Sequence, residues 1–353
     1  MNILLKKLLW RRFFGITLVY TVTCLLLSTN LCAAEKQWVT PRTEHGYPDL
    51  QGLWGNRTQT PFQRPAALGN QSTYTEEEAL AMEAAQQEID RLKFLDIDPD
   101  RDAPPAGNFI GNQADDNFAD VRTNVTRVNG EYRTSLIVDP PDGRFPFVEG
   151  GMNKDIYGHW RAQGFGPSDG PEIRSIGERC ITANGTMPPM AVITYNSNVQ
   201  IIQTEDYVMI MGEMVNDARI IRLNSEHQPA HIKKWLGDSH GYYEGDTLVV
   251  HTQNYRAEQS NMRLRSSEAL QVTERFTPIS DKEIYYRYTV DDPVIYSRPF
   301  TVELPLLRRA ADEKLYEFAC HEGNYSIPGI LAGARRLELE LELELELELE
   351  NKK

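Results

Sequence analysis

From residue 191 onwards the sequence is a succession of short segments rich in β-branched and aromatic residues, each followed by turn residues such as Asn, Asp and Gly. Such segments predict strands, and few helical intervals separate them. Closing the resulting antiparallel meander into a barrel would remove exposed sheet edges, so a closed, lipocalin-like barrel is favoured over a sandwich. We therefore expect a mainly β protein. The nine predicted strands cover residues 191–195, 199–204, 207–213, 219–223, 247–251, 269–277, 283–290, 300–304 and 315–320.

The N-terminus has the three parts of a secretory signal peptide: a basic start, an apolar run over residues 13–27 and small residues at 32–34. The apolar run is short for a bilayer span of about 20 residues, so a signal peptide over residues 1–34 is favoured over a permanent anchor. Arg11 and Arg12 leave twin-arginine export as a minor alternative. We expect a periplasmic or secreted protein with no stable membrane insertion after signal removal.

Residues 35–175 are predicted to form an extended arm, one helix and loops that pack on the barrel. Prolines break the arm, and its tryptophans, such as Trp54, would anchor it to the main body. Thr75 and Glu78 form a capping box, which predicts a helix from there to about residue 94.

The barrel itself is expected to span residues 176–336. The C-terminal residues 337–353 consist mostly of an alternation of Leu and Glu. Seven closely spaced like charges in this alternation predict a disordered, low-complexity tail.

Charge and cysteine content narrow the possible partners. The net charge of −14 at pH 7 repels phosphate backbones, so the expected partner is a small-molecule ligand or substrate rather than nucleic acid. Removing the signal leaves Cys180 and Cys320, which in an exported protein predict one disulfide, with two separate buried thiols as the alternative. Two cysteines are too few for a cysteine metal site, and the sequence has no cofactor fingerprint. Neither a metal nor a cofactor is expected.

The first candidate site is the stretch W-L-G-D-S-H-G-Y-Y-E-G-D at residues 235–246. Asp238, His240, Tyr242, Glu244 and Asp246 are spaced two residues apart, so in an extended segment they would share one face. Carboxylates and an imidazole on one face could bind a divalent cation or act as an acid–base pair. The glycines of this stretch instead favour a turn in which the carboxylates accept backbone N–H bonds. Both interpretations stay open, and the turn is favoured.

The second candidate site follows the last predicted strand, where His321 and Glu322 come directly after Cys320. An imidazole beside a carboxylate can act as a general base, but a hydrogen-bonded structural pair is equally ordinary. For Arg275, a buried bond to the carboxylate of Asp291 or Asp292 is favoured over a substrate anion site. The candidate catalytic residues are Asp238, His321 and Glu322, and the candidate ligand-binding residues are His240, Tyr242, Glu244, Arg275 and Tyr325.

Several motifs together resemble a large family of exported bacterial proteins for which no activity is assigned. The motifs are P-R-T at 41–43, P-D-L-Q-G-L-W at 48–54, R-T-S-L-I-V-D-P-P-D-G-R at 133–144, G-E-R-C at 177–180, G-D-S at 237–239, E-G-D-T-L-V-V at 244–250, E-R-F at 274–276 and C-H-E-G-N-Y at 320–325. They extend over nearly all of residues 40–336. Similar sequences have arginine in place of His240 and aspartate in place of His251. The resemblance therefore favours the carboxylates and His321 over these two imidazoles.

Two functions are consistent with the sequence. A barrel could enclose a small, largely apolar ligand, as the supply of Tyr, Val, Ile and Met suggests. Alternatively, Asp238, His321 and Glu322 could serve a cofactor-independent acid–base enzyme, a hydrolase, lyase or isomerase, with its site at the barrel mouth. A barrel interior filled by side chains would argue against the first function. Separation of Asp238 from His321 would argue against the second. Ligand binding is favoured, and the question of catalysis stays open.

Overall fold

The computed structural model of the protein describes residues 38–93, 124–182, 188–192, 196–260 and 264–352. The predicted signal peptide lies outside the described residues. The chain forms two compact units, Met1–Val39 and Thr40–Lys353, and every element below belongs to the second.

Strands dominate the described chain. The strands are β1 (Gly52–Gly55), β2 (Thr73–Tyr74), β3 (Arg127–Val128), β4 (Glu131–Arg133), β5 (Ile137–Asp139), β6 (Asn198–Gln203), β7 (Tyr207–Gly212), β8 (Ala218–Leu223), β9 (Asp238–Glu244), β10 (Thr247–Gln253), β11 (Gln271–Ser280), β12 (Glu283–Asp291) and β13 (Phe300–Arg308). The α-helices are α1 (Glu76–Lys93), α2 (Ile156–Ala162) and α3 (Ser326–Asn351). Short 3₁₀ helices cover Ala66–Leu68, Gly151–Asn153, Pro171–Ile173, Met214–Asn216 and Ala257–Gln259.

Nine of these strands close into a barrel. Strands β6 to β13 follow one another around the sheet, and β1 closes it by pairing with β6 on one side and β13 on the other. The expected closed barrel is thus confirmed. It is mixed rather than purely antiparallel, because β8 and β9 run parallel. The connection over residues 224–237 must return to the starting end of β8 before β9 begins. A separate small sheet has the order β2-β4-β3.

Two predicted strands are replaced by two others. Residues 315–320 form no strand, and Tyr316 in this segment is 71% exposed, so the segment has no buried face. Residues 191 and 192 form no strand either, and the rest of that predicted segment lies outside the described residues. Strands β1 and β9 take their places in the barrel. The barrel therefore begins at Gly52, well before residue 176, and its last strand ends at Arg308.

Side chains from the strands fill the barrel interior. The largest fully buried ones include Trp54, Phe276, Tyr286 and Tyr288. The ring of Tyr286 lies between two neighbours on adjacent inward positions, with its centroid 4.7 Å from Phe276 and 5.4 Å from Tyr288. Burial of one large apolar side chain stabilises the fold by roughly 1.5–3 kcal/mol, so this aromatic packing is a main source of barrel stability.

An ion pair also lies within this core. Both carboxylate oxygens of Glu274 accept hydrogen bonds from Arg219, at 2.5 and 2.7 Å, and both side chains are buried. The hydroxyl of Tyr286 donates to Glu274 at 2.6 Å and accepts from the backbone N–H of Met190 at 3.0 Å. These bonds connect β8, β11, β12 and the segment that precedes β6.

The next residue along β11, Arg275, corrects the sequence prediction. Arg275 makes no buried bond to Asp291 or Asp292 but lies on the outer face, where it pairs with Glu244 at 2.7 Å. The two side chains are 40% and 48% exposed. The reason is the period of two along a strand, which turns Glu274 inward and Arg275 outward.

The observed helices agree with the sequence-based prediction for α1 and differ from it for α3. The capping box of α1 is confirmed, since Glu78 N–H donates to Thr75 Oγ1 at 3.2 Å and Thr75 N–H donates to Glu78 Oε2 at 2.8 Å. The Leu-Glu segment, predicted to be disordered, continues helix α3 to Asn351. Leu and Glu are both strong helix formers, which explains the helix, and the alternation leaves its leucines exposed. In the described part of the chain, no helix combines the length and apolarity needed to cross a membrane.

The predicted pairing of Cys180 with Cys320 is confirmed. The two cysteines form a disulfide with their Cα atoms 5.7 Å apart. It joins the segment before the second barrel strand to the segment after the last one, across a sequence separation of 140 residues.

Candidate functional site

Polar residues gather on the outer face of strands β8 to β11. Strand β9 is extended, so Asp238, His240, Tyr242 and Glu244 do share one face. The turn that the glycines predicted is confined to the tip of the hairpin, where Gly245 adopts a φ of 58°. Asp238 is buried at the start of the strand, and exposure increases along the strand to Glu244.

Four half-buried rings lie side by side on this face. The strand register places His240 opposite His251 of β10, and their ring centroids are 5.6 Å apart. Tyr242 lies 6.0 Å from His251 with an interplanar angle of 26°. His227, from the connection between β8 and β9, meets His240 edge to face at 4.3 Å. We call these four residues, His227, His240, Tyr242 and His251, the ring platform.

Asp238 anchors the connection that supplies His227. Its carboxylate accepts hydrogen bonds from Gln228 N–H at 2.8 Å, Lys234 at 3.0 Å, Arg222 at 3.0 Å and His227 Nδ1 at 3.2 Å. Burial alone would raise the pKa of Asp238, but these hydrogen bonds and the charge of Lys234 outweigh it and lower the pKa. An ionised Asp238 therefore holds the connection against β9 and orients the imidazole of His227.

The imidazoles of His240 and His251 favour their neutral forms. Partial burial is the main cause of the lowered pKa of both rings, and the neighbouring imidazoles lower it further. His251 Nδ1 lies 3.1 Å from the hydroxyl of Thr273. Among the residues that the structure describes, no group of three or more His, Cys, Asp or Glu is placed to hold a metal ion. The arrangement suits stacking and hydrogen bonding.

Two arginines flank the ring platform. Arg222 lies beside His240 in the register, and its side chain is 27% exposed. Arg275 is near His251, and its hydrogen bond to Glu244 lowers the pKa of that carboxyl. The charge of each arginine lowers the pKa of one imidazole, and both arginine side chains are partly exposed. The platform is therefore a set of four adjacent rings between two cations, with the ring of His227 nearly perpendicular to that of His240.

The predicted site residues separate into two groups. Four of the candidate ligand-binding residues lie on or beside the ring platform, namely His240, Tyr242, Glu244 and Arg275. The other group follows the disulfide, where His321 and Glu322 are exposed and Tyr325 is 82% exposed. The described partners of Asp238 all come from residues 222–234. The structure thus shows no contact, within its described residues, that joins Asp238 to His321 or Glu322.

Three residues of this surface, His227, His251 and Arg222, are not among the site residues predicted from the sequence. The pairing of two adjacent strands could have indicated His251, because it falls on the same face as His240 once the hairpin is recognised. Arg222 and His227 have no such local signal. Their positions depend on the parallel pairing of β8 with β9, which the antiparallel prediction did not include.

The fold and this surface define a closed β-barrel protein with a polar, ring-lined outer face. No model of a known protein family matches the chain, and no curated protein matches it either. The resemblance to exported bacterial proteins therefore stays a prediction.

Substitution of Gly237, just before β9, is expected to disturb this site. Gly237 has a φ of 68°, and a Cβ atom there would lie 2.7 Å from Thr252 Cγ2 and 2.9 Å from the carbonyl oxygen of Gln253. Gly245 also has positive φ, but a Cβ there would meet nothing within 4 Å. Both alanine variants lose about 1–2 kcal/mol from backbone strain. Overpacking should cost Gly237→Ala about 1–3 kcal/mol more, measured by urea unfolding. Equal losses in the two variants would contradict the predicted clash.

Proposed function

We propose that this protein is an exported β-barrel that binds a small aromatic molecule carrying an acidic group. The ligand would lie on the ring platform. The single observation that supports this site most directly is the set of four adjacent rings between two partly exposed arginines. The signal-like N-terminus and the Cys180–Cys320 disulfide support export, because disulfides persist in oxidising compartments.

The outer face has more support than the barrel interior. Buried side chains such as Trp54 and Tyr286, together with the ion pair of Arg219 and Glu274, occupy the interior. An enclosed apolar ligand would have to displace this packing, and protein cores respond poorly to such changes. The sequence predicted a largely apolar ligand, and the aromatic ring of the proposed ligand is its apolar part.

The chemistry of the platform matches such a ligand. A ring stacked parallel to Tyr242 and His251 would gain about 0.5–1.5 kcal/mol beyond its buried area. Neutral imidazoles can be covered by a ring without burying a charge. The pair of Arg275 and Glu244 is exposed, and an exposed ion pair adds little stability. A ligand carboxylate can therefore replace Glu244 as the partner of Arg275 at little cost in free energy.

Phenylacetate and its saturated analogue cyclohexylacetate test this proposal in isothermal titration calorimetry. We expect phenylacetate to bind at least threefold more tightly, because only its flat ring can stack. His251→Gln and Arg275→Gln should each weaken phenylacetate binding about tenfold. His159→Gln, on helix α2, is the control and should bind normally. Equal affinity for the two acids would overturn the proposed site. So would a loss of phenylacetate affinity in His321→Gln with no loss of affinity in His251→Gln.

The affinity for phenylacetate should also depend on pH. His240 and His251 have lowered pKa values in the free protein, so they are neutral at pH 7.5. A bound carboxylate stabilises a protonated imidazole and raises its pKa, so binding takes up protons. Affinity should therefore increase as the pH falls from 7.5 towards 6, a range in which the ligand stays ionised. Titrations at the two pH values, with His240→Gln/His251→Gln as the control, measure this increase.

One observation favours acid–base catalysis as a second candidate function. The buried carboxylate of Asp238 is hydrogen-bonded to Nδ1 of His227, which is the arrangement that orients a histidine general base. In this alternative His227 replaces His321 as the base of a cofactor-independent hydrolase, lyase or isomerase. The test substrate is the ester phenyl acetate, which differs from the acid phenylacetate. A rate of ester hydrolysis that is at least 100-fold lower in His227→Gln than in the wild type would support the enzyme. Binding of phenylacetate without any ester turnover would support the binding protein.

A further inference from the structure

A separate pocket lies on the outer surface of the barrel, at strands β12 and β13. Its volume is about 200 Å³. Pro305 and Leu307 of β13, Val125, Tyr132 and Glu83 of helix α1 are among the residues that line it. It is smaller than the roughly 300–1,000 Å³ that sites for drug-sized ligands occupy. The pocket thus suits a molecule with few heavy atoms and a partly apolar body.

Glu283 supplies an unusual carboxyl group to this pocket. It begins β12 on the outer face, opposite Leu307 of β13, and it is half-buried. Burial raises the pKa of Glu283, and no neighbouring charge or hydrogen bond offsets this effect. Within the described part of the chain, the carboxyl group has no hydrogen-bonding or ionic partner. A desolvated carboxyl group of this kind gains stability from a cation that enters the pocket.

The other charged side chains that line the pocket have hydrogen-bond partners. Glu83 accepts a hydrogen bond from Val125 N–H at 2.9 Å. Arg57 donates to Ser197 at 3.3 Å and lies near Asn198 as well. Arg127 donates to the carbonyl oxygen of Gly130 at 3.3 Å and lies over the ring of Tyr132 at 5.2 Å. Glu283 is therefore the charged group of the pocket that lacks a described partner.

We propose that this pocket binds a small primary amine. The ammonium group pairs with Glu283, and the apolar body contacts Pro305, Leu307 and the ring of Tyr132. An ammonium donates up to three hydrogen bonds, so it can satisfy both oxygens of the carboxylate. The carboxylate of Glu283 repels a small anion placed beside it, although the guanidinium groups of Arg57 and Arg127 also line the pocket. The site is separate from the ring platform, whose residues lie on β9, on β10 and in the connection before β9.

Phenethylamine, with 3-phenylpropionate as the matched anion, tests this proposal in titration calorimetry of the full chain at pH 7.5. We expect the amine to bind and the anion to show at least tenfold weaker affinity. Glu283→Gln keeps the shape of the side chain and should weaken amine binding at least tenfold. Glu268→Gln removes an exposed carboxylate elsewhere and should have no effect.

Two further measurements complete the test. Amine affinity should fall as the pH is lowered, because protonation of Glu283 removes the charge that holds the ammonium. Leu307→Trp fills the pocket and should abolish amine binding, while circular dichroism shows that the barrel is intact. The proposal is overturned if the wild-type protein does not bind phenethylamine, if Glu283→Gln binds it as tightly as the wild type, or if the anion binds equally well.

Discussion

Removal of the Cys180–Cys320 disulfide is expected to lower the free energy of unfolding by about 4–5 kcal/mol. The bond closes a loop across a sequence separation of 140 residues. In the chain-entropy model, a cross-link of that span strongly restricts the unfolded chain and therefore stabilises the folded one by this amount. Urea unfolding of the oxidised protein, the reduced protein and Cys180→Ser/Cys320→Ser measures the difference.

The double variant is also the control for the reductant. Adding reductant should lower the midpoint of unfolding of the wild-type protein and leave that of the double variant unchanged. Phenylacetate binding in dilute buffer should be unaffected, because the ring platform has no contact with either cysteine among the described residues. Equal stability of the oxidised and reduced proteins would contradict the predicted role of the disulfide.

The barrel was largely predictable because its signal is local. Strands such as β11 and β12 show a period of two, and burial follows it, with Ile284, Tyr286 and Tyr288 inside the barrel. Strand β1 lacked this signal, since four residues within a proline-rich arm are too few to show alternation. Its place in the barrel depends on pairing with β13, about 250 residues away in sequence. Such long-range pairing leaves no mark on the local pattern.

The candidate site was predictable to the same extent. The spacing of Asp238, His240, Tyr242 and Glu244 predicted a shared face, and the structure has that face. His227 joined it only because the chain crosses over between two parallel strands. Glu283 gave no signal either, since the pocket around it includes Val125 and Tyr132, which lie more than 150 positions away in sequence. Local patterns thus locate surfaces, while contacts between distant segments complete them.

Replacement of Arg219 by methionine is expected to destabilise the barrel by about 3–5 kcal/mol. The substitution leaves Glu274 buried, with the hydroxyl of Tyr286 as its remaining described hydrogen-bond donor. An uncompensated buried carboxylate must either stay charged at low dielectric or take up a proton, and both outcomes reduce stability. Glu274→Leu should cost a similar amount, because it leaves the guanidinium unpaired. Urea unfolding at pH 7 measures both variants.

The double variant and a neighbouring residue make the test specific. Arg219→Met/Glu274→Leu removes both charges, so its loss should be smaller than that of either single variant, since a hydrophobic pair can replace a buried ion pair. Arg275 follows Glu274 on β11 and makes an exposed ion pair. Arg275→Met should therefore lower the free energy of unfolding by at most about 1 kcal/mol. Additive losses in the double variant, or a loss in Arg219→Met no larger than in Arg275→Met, would contradict the coupling. The expected result would assign Arg219 and Glu274 to holding β8 against β11, the two strands whose outer faces carry Arg222 and Arg275 beside the ring platform.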